Sequence, residues 1–500
     1  TRFLLSLTLL IVMHAASAQD APYLDPALDV DARVDDLLAR MTLEEKIGQM
    51  TLVEKGSITP QSVTRFLVGA VLSGGGGYPT PNTAAAWANM VDSFQQAALA
   101  TRLSIPLIYG VDAVHGHNNL YGATIFPHNV GLGAANNPDL VQETAAVTAR
   151  EMIATGIYWN YAPVMAVPQD IRWGRAYEGF GEDTALVDRL SNAYFRGLQG
   201  TLGAPLSVLA TPKHYIGDGG TTWGTSASAF LDRGDTRVDE ATLRARDLPP
   251  YITAIENGAM SIMVSFSSWN GEPLHGHDYL INTVLKGELG FNGFVVSDWG
   301  GVDLITDDYY DSVATAINAG VDMNMVPQNY PLFMETLTAA IENGDVPLER
   351  IDDAVRRILR VKFMMGLFER PFSDPALLES VGSEAHRAVA RQAVSESLVL
   401  LRNADQALPL APDAPVIFVA GQAADDIGFQ SGGWTIEWGG GLGAITPGTT
   451  ILDGIQATVF PETEVYFNTI GRFNRVVDAN DNPVIADVGI VVVAEYPYVE

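Results

Sequence analysis

Residues 107–112 read LIYGVD, and residues 294–298 read FVVSD. Each is a short apolar run, rich in β-branched or aromatic side chains, that stops on an aspartate. Such a run fits a strand buried on both faces, because a half-buried strand alternates polar and apolar side chains. The pattern recurs at 68–72, 159–164, 207–210, 261–265 and 321–325, each run ending at Gly, Asp, Ser or Pro. Alanine-rich helical stretches, such as 138–155 and 184–199, lie between them. Seven strand–helix repeats in a row predict the α/β class, with a parallel sheet closed into a (β/α)8-like barrel. A doubly wound open sheet is the alternative. Thr42-Leu43-Glu44-Glu45 is a capping box that opens a helix carrying Ile47 and Met50.

The barrel is expected over residues 19–372. A helix at 351–364 is followed by a proline-bearing break at 369–380. Residues 373–395 read as a linker and the start of a connecting helix, expected over 384–401. Strands at 416–420, 464–468 and 486–494 then predict a second domain, an α/β sandwich over 396–500. The chain opens on Thr rather than Met and stops just after an apolar run. The second domain is therefore read as incomplete at its C-terminus.

Acidic side chains number 59 against 29 basic ones, for a net charge of -30, which would repel nucleic acid. There is no cysteine. Disulfides, thiolate zinc sites and a cysteine nucleophile are therefore excluded. Residues 3–13 read FLLSLTLLIVM, and Ala16-Ser17-Ala18 follows as a cleavage pattern. Residues 1–18 are thus expected to be a signal peptide, making the protein periplasmic or extracellular. No later segment approaches the roughly 18 apolar residues of a membrane span.

In a barrel, function gathers at the C-terminal ends of the strands. Asp112 follows 107–111, Lys213 and His214 follow 207–210, residues 267–270 follow 261–265, and Asp298 and Trp299 follow 294–297. The set suits sugar chemistry. Hydroxyls take carboxylates and cationic donors, which Asp112, Arg175, Lys213 and His214 supply. Sugar faces stack on indoles, and Trp299 and Trp434 lie beside the polar sets. Glycoside hydrolysis needs two carboxyl groups. One must be ionised, which nearby cations favour, and the other must hold a proton, which partial burial favours.

Six ordered motifs from about residue 31 to the end resemble glycoside hydrolase family 3, in the branch of exo-β-glucan glucohydrolases and β-glucosidases. YGVDAVHGHNN at 109–119 and RWGRAYEGFGED at 172–183 are similar to its first two barrel signatures. Lys213-His214 with Gly217-Asp218-Gly219-Gly220 resembles the third, and GFVVSDWG at 293–300 resembles the nucleophile signature. GGWTIEW at 432–438 and AEYPYVE at 494–500 resemble second-domain motifs.

The resemblance implies retaining, exo-acting hydrolysis of terminal β-D-glucosyl residues from β-glucans, cello-oligosaccharides or β-glucosides. Asp298 is then the nucleophile and Glu495 the acid/base, with carboxyls about 5–5.5 Å apart. Asp112, Arg175, Lys213 and His214 hold the sugar, and Trp434 faces Trp299 across the entrance. No metal or cofactor is implied. Glu437 and Glu500 are rivals for the acid/base. Glu178 is read as a partner for an arginine, Asp218 as support for Lys213, and His115 and His117 as turn packing rather than a metal pair.

The chain departs from plant members of the family in three places: the loop TTWGTSASA near Ala227, Phe266 where Tyr is usual, and Leu304 where Arg occurs. These departures bear on substrate preference. The alternative readings are a β-xylosidase, a β-N-acetylglucosaminidase, or a non-catalytic exported glycan-binding protein. The N-acetylglucosaminidase branch uses a His–Asp pair in the loop after the Lys-His motif. Here no histidine occurs between His214 and His275.

Overall fold

The structure, a computed structural model, describes residues 21–226 and 230–500. The expected signal peptide at 1–18 and Ala227 lie outside the described residues. Eight short strands build the barrel of the first unit: Thr51–Glu54 (β1), Ala70–Ser73 (β2), Ile108–Val111 (β3), Trp159–Asn160 (β4), Leu209–Ala210 (β5), Ser261–Met263 (β6), Phe294–Val296 (β7) and Asn324–Met325 (β8). One parallel sheet runs β8-β1-β2-β3-β4-β5, and β6 pairs in parallel with β7. Parallel bridges Tyr215–Val264 and Val296–Met323 join the two sheets at both edges. Across these seams Tyr215 N–H donates to Met263 O (2.8 Å) and Ser297 N–H to Met323 O (3.0 Å). The ring closes as a (β/α)8 barrel.

Seven of these strands fall on the apolar runs, and β1 does not. TLVE follows directly on the helix Leu43–Gln49, whose capping box is present. Four residues abutting a helix carry no period of their own. The barrel strands are dry on both faces: Leu52, Val71, Ile108, Ile262 and Val295 are completely buried. Each such side chain contributes about 1.5–3 kcal/mol by leaving water. The outer helix Leu348–Met364 turns Ile351, Val355, Ile358 and Leu359 inward at helical spacing. Its buried Lys362 donates to Gln49 Oε1 (2.6 Å), Gly69 O (2.9 Å) and Pro106 O (2.8 Å), satisfying all three ammonium protons.

The connecting helix Glu384–Ser397 is shorter than the 384–401 expected. Its backbone becomes extended at Leu398, and Leu398, Val399, Leu400 and Leu401 are exposed, so no apolar partner carries the helix on. The helix is tied to the barrel by fully buried Glu151. That carboxylate accepts from Thr124 N–H (2.8 Å) and Oγ1 (2.8 Å), Gly382 N–H (2.9 Å) and His386 Nδ1 (2.7 Å). Beyond it, Val416–Ala420 (β9), Glu464–Asn468 (β10) and Val488–Val491 (β11) form a parallel sheet in the order β10-β9-β11. Ile417, Val419 and Leu452 of the helix Ile451–Thr458 form its core, separate from that of the barrel. The expected sandwich is thus one three-stranded sheet with a helix packed on it. No helix among the described residues is long and apolar enough to cross a membrane.

Candidate active site

The ends of the barrel strands converge as polar groups. Lys213, past β5, donates from Nζ to Asp112 Oδ1 at the end of β3 (2.6 Å). Arg175, from the loop after β4, makes a bidentate pair with Glu178, Nε to Oε1 (2.8 Å) and Nη2 to Oε2 (3.0 Å). Burial raises the Glu178 carboxyl, but the charge and hydrogen bonds of Arg175 outweigh it and hold the group below its ordinary value.

Arg175 Nη2 also lies 3.2 Å from His214 Nε2, and His214 Nδ1 lies 2.8 Å from Asp218 Oδ2. Arg175 can only donate, so these partners assign the His214 proton to Nδ1. Burial, reinforced by the Arg175 and Lys213 charges, keeps His214 neutral. Its contacts to the two carboxylates are therefore not ion pairs. Burial also pushes Asp218 up to about 8. Asp218 thus supports His214, not Lys213.

Asp298 stands at the end of β7 with its side chain 14% exposed. Its N–H donates to His275 Nε2 (2.9 Å), and its Oδ1 accepts from Trp299 N–H (2.6 Å). Oδ2 lies 3.7 Å from His214 Nε2. Burial pushes the carboxyl up to about 6, against the pull of Arg175, the Trp299 N–H and Lys213.

One cavity of ≈ 620 Å³ brings Asp112, Arg175, Lys213, His214, Asp298, Trp299 and Trp434 together. Trp434, however, is 7% exposed and packs on Val114 and Val499, 5.5 Å from Lys213 Nζ. It is a piece of the wall. The indoles open to solvent at this cavity are Trp299 (39%) and Trp438 (45%).

The second unit reaches the cavity because the barrel presents bare glycines to it. A Cβ on Gly75 would lie 2.4 Å from Trp438 Cα, and one on Gly76 2.2 Å from Glu437 Oε2. Gly76 N–H donates to Ile436 O (3.2 Å), Ile436 N–H to Asn118 O (2.8 Å), and Tyr78 OH to Glu437 Oε1 (2.5 Å). His115 serves the same seam, with Nε2 3.2 Å from Thr435 Oγ1 and its ring stacked on His128. His117 meets Thr155 Oγ1 (2.9 Å).

Glu495 is not brought into the site. It is exposed, lies outside the cavity lining, and sits beside the Tyr498 phenol. Glu500 lines the cavity instead. The chain beyond β11 is irregular, so no strand period fixes which glutamate turns inward. Val499 does so, burying itself against Val114 and Trp434. Gly433 leaves room for Tyr498 O, and Gly174 for the Glu500 backbone. Glu500 is held by Arg233, whose Nη2 meets Oε1 (2.9 Å) and Oε2 (3.0 Å).

Sequence reasoning also missed Glu54, Arg233, Met263, Met325 and Trp438 in the lining. Glu54 ends β1 and would have been flagged had that strand been found. Leu304, named above as a departure from the plant members, is 63% exposed.

Residues 42–361 match the model of the glycosyl hydrolase family 3 N-terminal domain. The chain belongs to glycosyl hydrolase family 3. It is 34% identical over 465 residues to a lysosomal β-glucosidase of Dictyostelium discoideum, covering 85% of this chain and 55% of that protein. It is also 34% identical over 481 residues to a periplasmic β-glucosidase of Salmonella typhimurium, covering 92% and 57%. The chain thus spans little more than half the length of these relatives. The crystal structure of a mutant of the exo-1,3/1,4-β-glucanase from a Pseudoalteromonas species superimposes with a TM-score of 0.86 at 40% identity, covering 95% of this chain and 77% of that one.

Proposed function

We propose that this family 3 chain carries the active site of a retaining, exo-acting β-glucosidase or exo-β-glucanase, with Asp298 as nucleophile and Glu500 as acid/base. The observation that carries the reading is the single cavity holding both carboxyls together with Asp112, Arg175, Lys213 and His214. Ionised Asp298 attacks the anomeric carbon while Glu500 passes a proton to the departing glycosidic oxygen. Glu500 then takes a proton from water as the water displaces Asp298, so the β configuration is restored. Arg175 and Lys213 favour the ionised form of Asp298. The grip of Asp112, Lys213, His214 and Arg175 on a terminal sugar gives release of one glucosyl unit at a time. Trp299 and Trp438 flank the departing sugar.

Glu500 replaces Glu495 in the role the motif suggested, because Glu495 faces solvent. Substrates are terminal β-D-glucosyl residues of β-1,3- or β-1,4-linked glucans and of β-glucosides. Export to the periplasm or beyond belongs to the same reading, supported by residues 3–13 and by similarity to a periplasmic relative.

A 2-deoxy-2-fluoro-β-glucosyl fluoride tests the nucleophile. Mass spectrometry is expected to find the label on the peptide spanning 293–300, absent in Asp298→Ala. Glu500→Ala is expected to make β-glucosyl azide when azide is added, and Glu495→Ala to behave like the parent protein. The opposite pattern for the two glutamates returns the role to Glu495. A panel of aryl β-glucoside, β-xyloside and β-N-acetylglucosaminide reads specificity, and faster turnover of the xyloside overturns the glucosidase reading.

A further inference from the structure

Glu500 arrives on a segment with no strand ladder to hold it, yet a proton donor must be aimed to within a fraction of an ångström. Its side chain, 21% exposed, is gripped through both oxygens by one guanidinium. We propose that Arg233 is a positioning residue that aims the Glu500 carboxyl at the leaving-group oxygen; this rests on the assignment of Glu500 made above.

Arg233 is itself held on several sides. Its backbone is left-handed, at φ 58°. Its guanidinium lies over the Phe266 ring, 4.6 Å from the centroid. Asp232 Oδ2 lies 3.5 Å from Arg233 Nε, and Asp232 Oδ1 accepts from Trp173 Nε1 (2.9 Å), which pins the loop. Phe266 in turn leans on the His275 ring, with centroids 5.6 Å apart. His275 accepts the N–H of Asp298. An unbroken line of contacts therefore runs from Glu500 through Arg233, Phe266 and His275 to the Asp298 peptide. The separation of the two carboxyls is set by this stack of barrel side chains, although one carboxyl belongs to the second unit.

The grip of Arg233 Nη2 on both oxygens also suits both chemical steps. When one Glu500 oxygen carries the proton bound for the glycosidic oxygen, the other stays on Arg233 Nη2. When that proton has gone and a water must be deprotonated, both oxygens are gripped again. The carboxyl keeps its direction throughout.

Arg233→Met removes the donor and keeps the stem; Arg233→Lys keeps the charge and a donor but on a shorter reach. kcat/KM is read on laminaribiose, whose leaving sugar needs a proton, and on 2,4-dinitrophenyl β-D-glucoside, whose leaving group does not. Arg233→Met is expected to lose about 10²-fold on laminaribiose, within the range of general acid catalysis, and to stay within about threefold on the dinitrophenyl substrate. Arg233→Lys is expected to fall between. The rate at which 2,4-dinitrophenyl 2-deoxy-2-fluoro-β-D-glucoside labels Asp298 is expected to be unchanged in Arg233→Met.

Equal losses on both substrates, no loss on either, or slowed labelling would each overturn the proposal. Glu500→Ala is run in parallel. If it shows neither the selective loss nor azide rescue, the assignment of Glu500 has failed. If it shows both and Arg233→Met does not show the selective loss, the role of Arg233 alone has failed.

Discussion

His275 accepts the backbone N–H of Asp298 at 2.9 Å, so the peptide that presents the carboxylate is fixed by a ring from the loop after β6. Burial holds that imidazole down to about 3, which leaves Nε2 free to accept at any working pH. His275→Phe removes the acceptor and strands a donor. Labelling by the fluorosugar is expected to slow by about 10- to 100-fold, the scale of a small misplacement of a reacting group.

Since His275 is neutral throughout, an acid limb in activity belongs, on the proposed assignment, to Asp298. A protonated carboxyl cannot attack, and burial sets Asp298 at about 6. On 2,4-dinitrophenyl β-D-glucoside, whose leaving group needs no proton, kcat/KM is expected to fall tenfold per pH unit below about 6 and to level off above it. Arg175 pulls in the other direction, so Arg175→Met moves the limb upward. A limb that stays in place in Arg175→Met would contradict this electrostatic account.

Gly174 is bare where the Glu500 backbone passes: a Cβ there would lie 2.4 Å from Glu500 C. Gly174→Ala pushes that backbone away. Turnover of laminaribiose is expected to drop by roughly 10²-fold, while labelling of Asp298 by an activated fluorosugar continues.

Tyr78 and Glu437 fasten the rim on which Trp438 stands. Tyr78→Phe removes the hydrogen bond and keeps the ring. KM for disaccharides is expected to rise about fivefold, the scale of one ordinary hydrogen bond, with kcat little changed. Initial-rate kinetics on laminaribiose and on an aryl glucoside separate the two, since the aryl glucoside relies less on the rim.

Glu151 is a stability prediction. Burial raises its carboxyl, but His386, the Thr124 and Gly382 N–H groups and the Thr124 hydroxyl hold it below its ordinary 4.5. A depressed carboxylate stabilises the fold above its unfolded value and loses that contribution as pH falls through the folded one. Glu151→Gln is expected to cost about 3 kcal/mol near neutrality and less near pH 3. Melting temperature against pH for both proteins checks the sign.

Much of this was legible in the sequence. Buried strands write themselves as apolar runs, so β2 to β8 and the polar ends at Asp112, Lys213 and Asp298 could be read directly. β1 could not, because its four residues abut a helix, and Glu54 was lost with it. Glu495 and Glu500 share one motif, and their difference lies in where Val499 finds a burial site, a contact across more than three hundred residues. Trp434 and Trp438 pose the same problem, since four residues separate a wall from a rim. Arg233 gave no signal, because its role exists only opposite a carboxylate from the other unit.

That seam between units has a consequence for synthesis. Threaded N-terminus first, the chain presents its whole barrel, Asp298 and the proposed sugar-holding residues included, before Glu500 emerges. On the proposed assignment, until the later unit docks on the glycine run the barrel has its nucleophile but not its acid/base. Its latency needs no inhibitor, because the fold delivers the final reagent last.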